Sequence, residues 1–389
     1  MMKRICILTA TRAEYGLLKN VIQKLTALSE FQVDVVATGM HLSPEFGLTY
    51  REIEQDGVRI DKKIEILLSA DTPSSISKSM GLALIEFSEY FAEREPDLLI
   101  VLGDRYETLA VCIAAMNQRI PIAHLYGGET TEGAVDEAIR HAITKLSYLH
   151  FTATEEYRKR VIQLGEHPDR VFCVGAMGIE NIQVESLMSR SELETDLHFS
   201  LGEKYAVVTF HPVTLENGTE EQQVEELCAA MEYCDDMCYI ITKANADTGG
   251  RRINEIVDRF AMKYPKCVLA VESLGMRRYL SALKYATMVI GNSSSGLVEA
   301  PSFHIPTINI GDRQKGRLKA DSVIDCEPNS KSIIGAMNKA VTPEMQTIVH
   351  QVMNPYGDGQ TSDKIIAILK DRIKDNKIQL KKQFYDIEG

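Results

Sequence analysis

Short runs of apolar and β-branched residues recur along the first part of the chain, at Arg4–Thr9, Val33–Thr38, Leu98–Gly103, Ile122–Leu125, His150–Ala153 and Val171–Gly175. Between them lie segments with the three-to-four-residue spacing of amphipathic helices. That alternation predicts parallel β-α-β units. After a polar, acidic stretch from Glu185 to Glu203 it restarts, with Ala206–Phe210, Cys238–Thr242, Cys267–Val271, Met288–Ile290 and Thr307–Ile310 as the strands. The chain therefore reads as two doubly wound α/β domains, residues 1–180 and 181–362. A closing segment, 363–389, contains a helix over Asp363–Lys374 that can pack on either half, the first domain among them.

Composition narrows this picture. The 389 residues suffice for about two to three domains, and 44% hydrophobic with 25% charged residues is ordinary for a folded globular chain. A net charge of -12, from 43 basic and 55 acidic residues, argues against a nucleic-acid partner, which needs a basic face. No apolar run approaches the ~18 residues of a membrane span. Thr11, Arg12 and Glu14 interrupt the N-terminal apolar run where a signal peptide needs its core, so a cytoplasmic chain without a membrane partner is expected. The eight cysteines, among them Cys6, Cys112, Cys173 and Cys267, read as reduced core residues. Cys234 and Cys238 lack further Cys or His partners, and no metal site is expected.

Open α/β sheets bind ligands beyond the carboxyl ends of their strands, so polar residues directly after apolar runs are where chemistry is sought. Ala10-Thr11-Arg12-Ala13-Glu14-Tyr15-Gly16 follows the first run and precedes a helix expected to begin near Leu17. Arg12 there can fork onto a phosphate or carboxylate, or can be a solvated loop charge. In Gly103-Asp104-Arg105, partial desolvation would raise the Asp104 pKa toward use in proton transfer, with Arg105 restraining that shift or facing away. A helix N-cap explains Asp104 equally well. The densest cluster is His124-Leu125-Tyr126-Gly127-Gly128-Glu129, then Asp136-Glu137 and Arg140-His141. Its paired glycines admit a close ligand, and His124, Glu129 and Asp136 are candidate acids and bases. Asp136 and Arg140, four apart, also fit an ordinary surface ion pair.

In the second half, His211-Pro212 ends a strand, although a lone histidine is more often simply packed. Gly291-Asn292-Ser293-Ser294-Ser295-Gly296-Leu297-Val298-Glu299 reads as strand, turn and helix. Ser293, Ser294 and the amides near Gly296 would cradle a phosphate, and Glu299 could accept from a ribose diol. After the next strand, Arg313, Lys315 and Arg317 suit a diphosphate. These patterns describe a protein that holds a nucleotide diphosphate-linked ligand in the crevice between its halves.

Taken in order, Thr11-Arg12-Ala13-Glu14-Tyr15, Thr38-Gly39-Met40-His41, Leu102-Gly103-Asp104-Arg105, Gly127-Gly128-Glu129, Ile139-Arg140-His141-Ala142-Ile143-Thr144-Lys145-Leu146, His211-Pro212, Gly291-Asn292-Ser293-Ser294-Ser295-Gly296 and Gly311-Asp312-Arg313-Gln314 resemble the hydrolysing UDP-N-acetylglucosamine 2-epimerases. The likeness is greatest to the bacterial sialic-acid biosynthesis branch, and Gln383-Phe384-Tyr385-Asp386-Ile387 fits it too. Non-hydrolysing relatives carry a proline after the first-loop arginine and a glutamate-alanine-glycine-leucine turn, where this chain has Ala13 and Tyr126-Gly127-Gly128-Glu129.

The resemblance implies two Rossmann-like domains of GT-B type, a UDP-sugar substrate with UDP held mainly by the second domain, no cofactor, and a homodimer or homotetramer. It implies that a base removes the C2 proton, UDP leaves C1, and water adds to the glycal to give N-acetylmannosamine. Carried over by motif, Arg12, His211, Asn245, Ser293, Ser294, Glu299 and Arg313 bind UDP. The same motifs add His41, Arg105, His124 and Gly296 to the substrate-binding set. Asp104 and Asp136 become the catalytic carboxylates. The animal and some bacterial members have an acid-base glutamate before Gly-Gly-Glu; here Tyr126 stands there, a phenol with an ordinary pKa of about 10 that donates a proton more readily than it accepts one. Either Glu129 takes over, or the sugar is the UDP-linked 2,4-diacetamido-trideoxy analogue of the legionaminic pathway. A glycosyltransferase on the same scaffold would need an acceptor face that the sequence does not mark. A UDP-sugar-binding regulator would not need Asp104, Glu129 and Asp136 together.

Overall fold

Each apolar run becomes a strand because both of its faces are covered. In β1 (Lys3–Thr9), Ile5 and Ile7 join one apolar cluster while Cys6 and Leu8 join another on the opposite face. In β8 (Tyr205–Thr209), Ala206 and Val208 part from Tyr205 and Val207 in the same way. This computed structural model describes residues 2–68, 72–131, 135–212, 219–244, 250–374 and 378–387. Two compact units emerge: Met1–Glu129 with Asp136–Asn181 and Tyr356–Gly389, and Thr130–Val135 with Ile182–Pro355.

The first unit adds β2 (Phe31–Thr38), β3 (Lys62–Ile64), β4 (Leu98–Leu102), β5 (Ile122–Leu125), β6 (Leu149–Thr152) and β7 (Val171–Cys173), in the order β3-β2-β1-β4-β5-β6-β7. The second adds β9 (Cys238–Thr242), β10 (Val268–Val271), β11 (Met288–Gly291), β12 (Thr307–Ile310) and β13 (Val323–Cys326), in the order β10-β9-β8-β11-β12-β13. All pairings are parallel. Chain order reverses between β1 and β4 in one sheet and between β8 and β11 in the other, and such switch points are where open sheets receive ligands.

Several expectations need correction. Edge strands β3 and β13 were not expected; each is short and carries charge, with Lys62 and Lys63 in one and Asp325 in the other. The first helix spans Arg12–Thr26, so it starts well before Leu17. Thr11 caps it: its hydroxyl accepts from the Glu14 amide at 3.3 Å, while the Glu14 carboxylate reaches back to the Thr11 amide at 3.2 Å. Cys267, expected in the core, is exposed in the turn just before edge strand β10.

The helix Thr361–Lys374 inserts Ile365, Ile366, Leu369 and Ile373 into the first unit's core, in the cluster that holds Leu18 and Ile22 of the first helix. The tail beyond it is fastened by Lys382, whose ammonium lies 2.9 Å from both oxygens of the fully buried Glu166 carboxylate and donates to the Lys145 and Ser147 carbonyls at 2.8 Å. No helix among the described residues is long and apolar enough to cross a membrane.

Candidate active site

In the first unit the switch point is flanked by Thr11-Arg12 after β1 and Gly103-Asp104-Arg105 after β4. Asp104 does not cap the next helix, Tyr106–Asn117, whose N-cap is Arg105 without a side-chain cap bond. Asp104 instead pairs with Arg140, a nearly buried guanidinium whose other terminal nitrogen lies 3.7 Å from Glu137. Arg140 therefore turns inward. Arg105, adjacent to Asp104 in sequence, takes a different carboxylate: its Nε donates to Glu107 at 2.6 Å.

Asp136 opens the helix Asp136–Leu146 that also carries Glu137 and Arg140. The Asp104 carboxylate is thus tied to the helix on which Asp136 occupies the first position. Glu129 is buried, at the end of the Gly-Gly turn. Those glycines serve packing rather than ligand approach: a Cβ on Gly128 would lie 2.3 Å from the Tyr157 carbonyl oxygen, and one on Gly127 would lie 3.1 Å from the His124 ring. Tyr126 sits at φ +67°, and its phenol oxygen accepts the Met177 amide at 2.8 Å.

Two predicted ligand contacts are fully buried supports. His124 donates from Nε2 to the Gly103 carbonyl at 2.7 Å, with Nδ1 3.3 Å from the Thr144 hydroxyl. Burial pushes its pKa down to about 3, so the ring is neutral and steadies the loop that presents Asp104. His41 spans the Thr9 and Thr49 hydroxyls at 2.9 and 2.8 Å, and burial lowers it to about 4. Arg12, in the first helical turn, lies 4.0 Å from Glu52 and is partly exposed.

In the second unit, His211 follows β8 and Asn292 follows β11. They are locked together, the His211 amide donating to Asn292 Oδ1 at 2.7 Å and Asn292 Nδ2 to the His211 carbonyl at 2.8 Å. The Asn292 carbonyl receives Arg313 Nη1 at 3.0 Å and Gln314 Nε2 at 2.8 Å. Asn292 and Gln314 stand in the sequence only as members of motifs with no role of their own; their buried positions make them the struts of this site. His211 Nδ1 is buried without a hydrogen-bond partner, and burial, then the nearby Arg313 charge, lower its pKa to about 3. A neutral imidazole with a spare buried nitrogen beside a guanidinium suits an anionic, hydrogen-bonding ligand.

The serine turn is tighter than expected. Its helix is one turn, Ser295–Val298, followed by a 3₁₀ turn, Ala300–Phe303. The Gly296 amide is taken by the Ser293 carbonyl at 3.2 Å, and a Cβ on Gly296 would meet Thr307 at 2.6 Å, so this glycine packs the turn. Ser293 Oγ accepts from the Ser295 amide at 3.4 Å, Ser294 is the N-cap, and Glu299 closes the turn. Asn245 lies outside the described residues.

The sequence model of the family described as UDP-N-acetylglucosamine 2-epimerase matches residues 23–370. A curated relative, the GDP/UDP-N,N'-diacetylbacillosamine 2-epimerase (hydrolyzing) of Campylobacter jejuni, is 44% identical over 327 residues, 84% of this chain and 85% of its own. The polysialic acid biosynthesis protein P7 of Escherichia coli is 41% identical over 387 residues, 99% of this chain and 98% of its own. The solved structure of the UDP-GlcNAc 2-epimerase from Neisseria meningitidis bound to UDP-GlcNAc has the same fold, with a TM-score of 0.79 at 17% identity over 95% of this chain and 100% of that one.

Proposed function

We propose, from the premise that this chain belongs to the UDP-N-acetylglucosamine 2-epimerase family, that it hydrolyses UDP-N-acetylglucosamine to UDP and N-acetylmannosamine. The observation that carries the chemistry is the Asp104–Arg140 pair, which ties one strand-end carboxylate to the helix opened by Asp136. In this reading one of these carboxylates takes the C2 proton while the C1–O bond breaks and its electron pair leaves with UDP. Water then adds across the glycal, hydroxyl to C1 and proton to C2 on the other face, assisted by the second carboxylate. Arg313, His211, Ser293 and Ser294 hold the diphosphate, and Glu299 accepts from the ribose.

A second reading, the UDP-linked 2,4-diacetamido-trideoxy sugar, is favoured by Tyr126, whose phenol accepts the Met177 amide at the position where the animal and some bacterial members offer an acid-base glutamate. The 44%-identical Campylobacter jejuni relative supports it too. Proton NMR in deuterium oxide separates the two. Free N-acetylmannosamine deuterated at C2, with UDP, is the expected product from UDP-N-acetylglucosamine. Consumption of the diacetamido nucleotide sugar alone would transfer the assignment to the second reading, and UDP-N-acetylmannosamine as product would refute hydrolysis.

A further inference from the structure

The helix Asp136–Leu146 carries Asp136 at its first position and Arg140, the partner of Asp104, in its second turn. Its other end stops against the chain's own C-terminal tail. The Ile143 carbonyl accepts the Ser147 amide at 3.0 Å and the Ser147 hydroxyl at 2.7 Å. The last carbonyls of a helix have no partner within it and must find one outside. Here Lys382 supplies it, its ammonium donating to the Lys145 and Ser147 carbonyls at 2.8 Å each. A cation at this end also offsets the negative pole of the helix dipole.

The ammonium enters a built seat. Both oxygens of the fully buried Glu166 lie 2.9 Å from Lys382 Nζ; Oε1 also accepts Lys145 Nζ at 2.5 Å, and Oε2 faces His150 Nε2 at 3.2 Å. Burial pushes the Glu166 pKa up, but hydrogen bonds to His150, Lys145 and Lys382 outweigh it and bring the value down to about 2, so the carboxylate is ionised. Its charge opposes the lowering that burial imposes on the Lys382 pKa. Neighbouring tail residues keep the lysine in register. Tyr385 donates its amide to the Gly165 carbonyl at 3.0 Å, and its ring meets His167 with centroids 5.2 Å apart. Phe384 fills the space that Gly165 leaves, since a Cβ there would lie 2.2 Å from the ring.

We propose that Lys382 is a positioning residue for the reaction: carried in by the tail, its ammonium fixes the C-terminal end of the helix Asp136–Leu146, and thereby the placement of Arg140 and of the Asp104 carboxylate bound to it. The proposal rests on the UDP-sugar reading above. The lever is short, because Arg140 stands only about 8 Å along the helix from Lys145. A second route runs through Thr144, whose hydroxyl lies 3.3 Å from His124 Nδ1 while His124 holds the Gly103 carbonyl, next to Asp104, at 2.7 Å. A shift at the tail end of the helix therefore reaches Asp104 from two sides.

The test is steady-state kinetics of Lys382→Ala in the full chain, with turnover counted per folded molecule. We expect kcat to fall between about 10- and 100-fold while KM stays within about twofold of wild type. n-Propylammonium replaces the atoms that the substitution removes, and is expected to restore kcat saturably; n-propanol, of like shape without the charge, is expected to restore none. A kcat near that of wild type overturns the proposal, and so does a loss of kcat that propylammonium leaves untouched. Hydrogen exchange of ligand-free protein gives a readout that needs no turnover. The amides of residues 140–147 are expected to exchange faster in Lys382→Ala and to regain protection with propylammonium, and unchanged exchange there also overturns the proposal. A wild type that turned over neither nucleotide-sugar would sink the proposed function, while the exchange experiment would still decide whether Lys382 holds the helix.

Discussion

At the scale of single residues, sequence neighbours go to different partners. Asp104 is held by Arg140, Arg105 by Glu107, and the loop carbonyl of Gly103 by His124. Substituting Asp104→Asn keeps the shape and removes the charge. We expect turnover to fall by roughly 10²-fold or more while UDP affinity, measured by calorimetry, stays near wild type. Equal turnover would remove Asp104 from the reaction. The positions of Arg12, Asp104, His211 and Asn292 at strand ends were legible because the β-α-β rhythm announces where each strand stops. The partners were not. Whether Arg140 pairs with Asp136 on its own helix or crosses to β4 depends on which helix face meets the sheet, and His41 and His124 look like ligand contacts until their burial is known.

Elements depend on features as local as one missing methyl. Gly291 ends β11 at φ +133°, and a Cβ there would lie 1.9 Å from the Thr209 carbonyl oxygen of neighbouring β8. Neither backbone can yield without breaking the sheet at its switch point. Gly291→Ala is therefore expected to destabilise the protein by about 3 kcal/mol or more, read as a lowered denaturant midpoint, with His211 and Asn292 displaced. A midpoint within error of wild type would show that the ladder can shift. Long central strands were legible because burial on both faces forces continuous apolar runs. Edge strands β3 and β13 were hidden for the complementary reason, since short, charged sequences satisfy an edge. The serine turn misled through length: one helical turn carries the same residues as the start of a long helix.

For the whole molecule, the buried neutral histidines make folding sensitive to acid. His41, His124 and His211 have pKa values lowered to about 4, about 3 and about 3, below the ~6.5 of an unfolded chain. Their contribution is present above about pH 6.5 and is lost as pH falls toward those folded values. Glu14, raised to about 7, works the other way: its contribution is full below ~4.3 and fades as pH rises through about 7. The histidines outweigh it, so between pH 6 and pH 5 stability is expected to drop by roughly 2 kcal/mol. Urea melts at the two pH values measure this, and a midpoint unchanged or higher at pH 5 would contradict it. The two parallel sheets were legible as two repeats of one rhythm, whereas membership of the helix Thr361–Lys374 was decided by its apolar face, which the repeat does not reveal.

That helix has a consequence for how the protein is made. The first unit draws strands from residues 3–173 but closes its core with Ile365, Ile366, Leu369 and Ile373. On a ribosome, therefore, the N-terminal sheet emerges long before the helix that covers it. The second unit, Ile182–Pro355 in its main stretch, is fully synthesised while the face around Leu18 and Ile22 still waits for its cover. The unit begun first is completed last, and its apolar face around Leu18 and Ile22 lacks this cover until the helix Thr361–Lys374 has left the ribosome and docked.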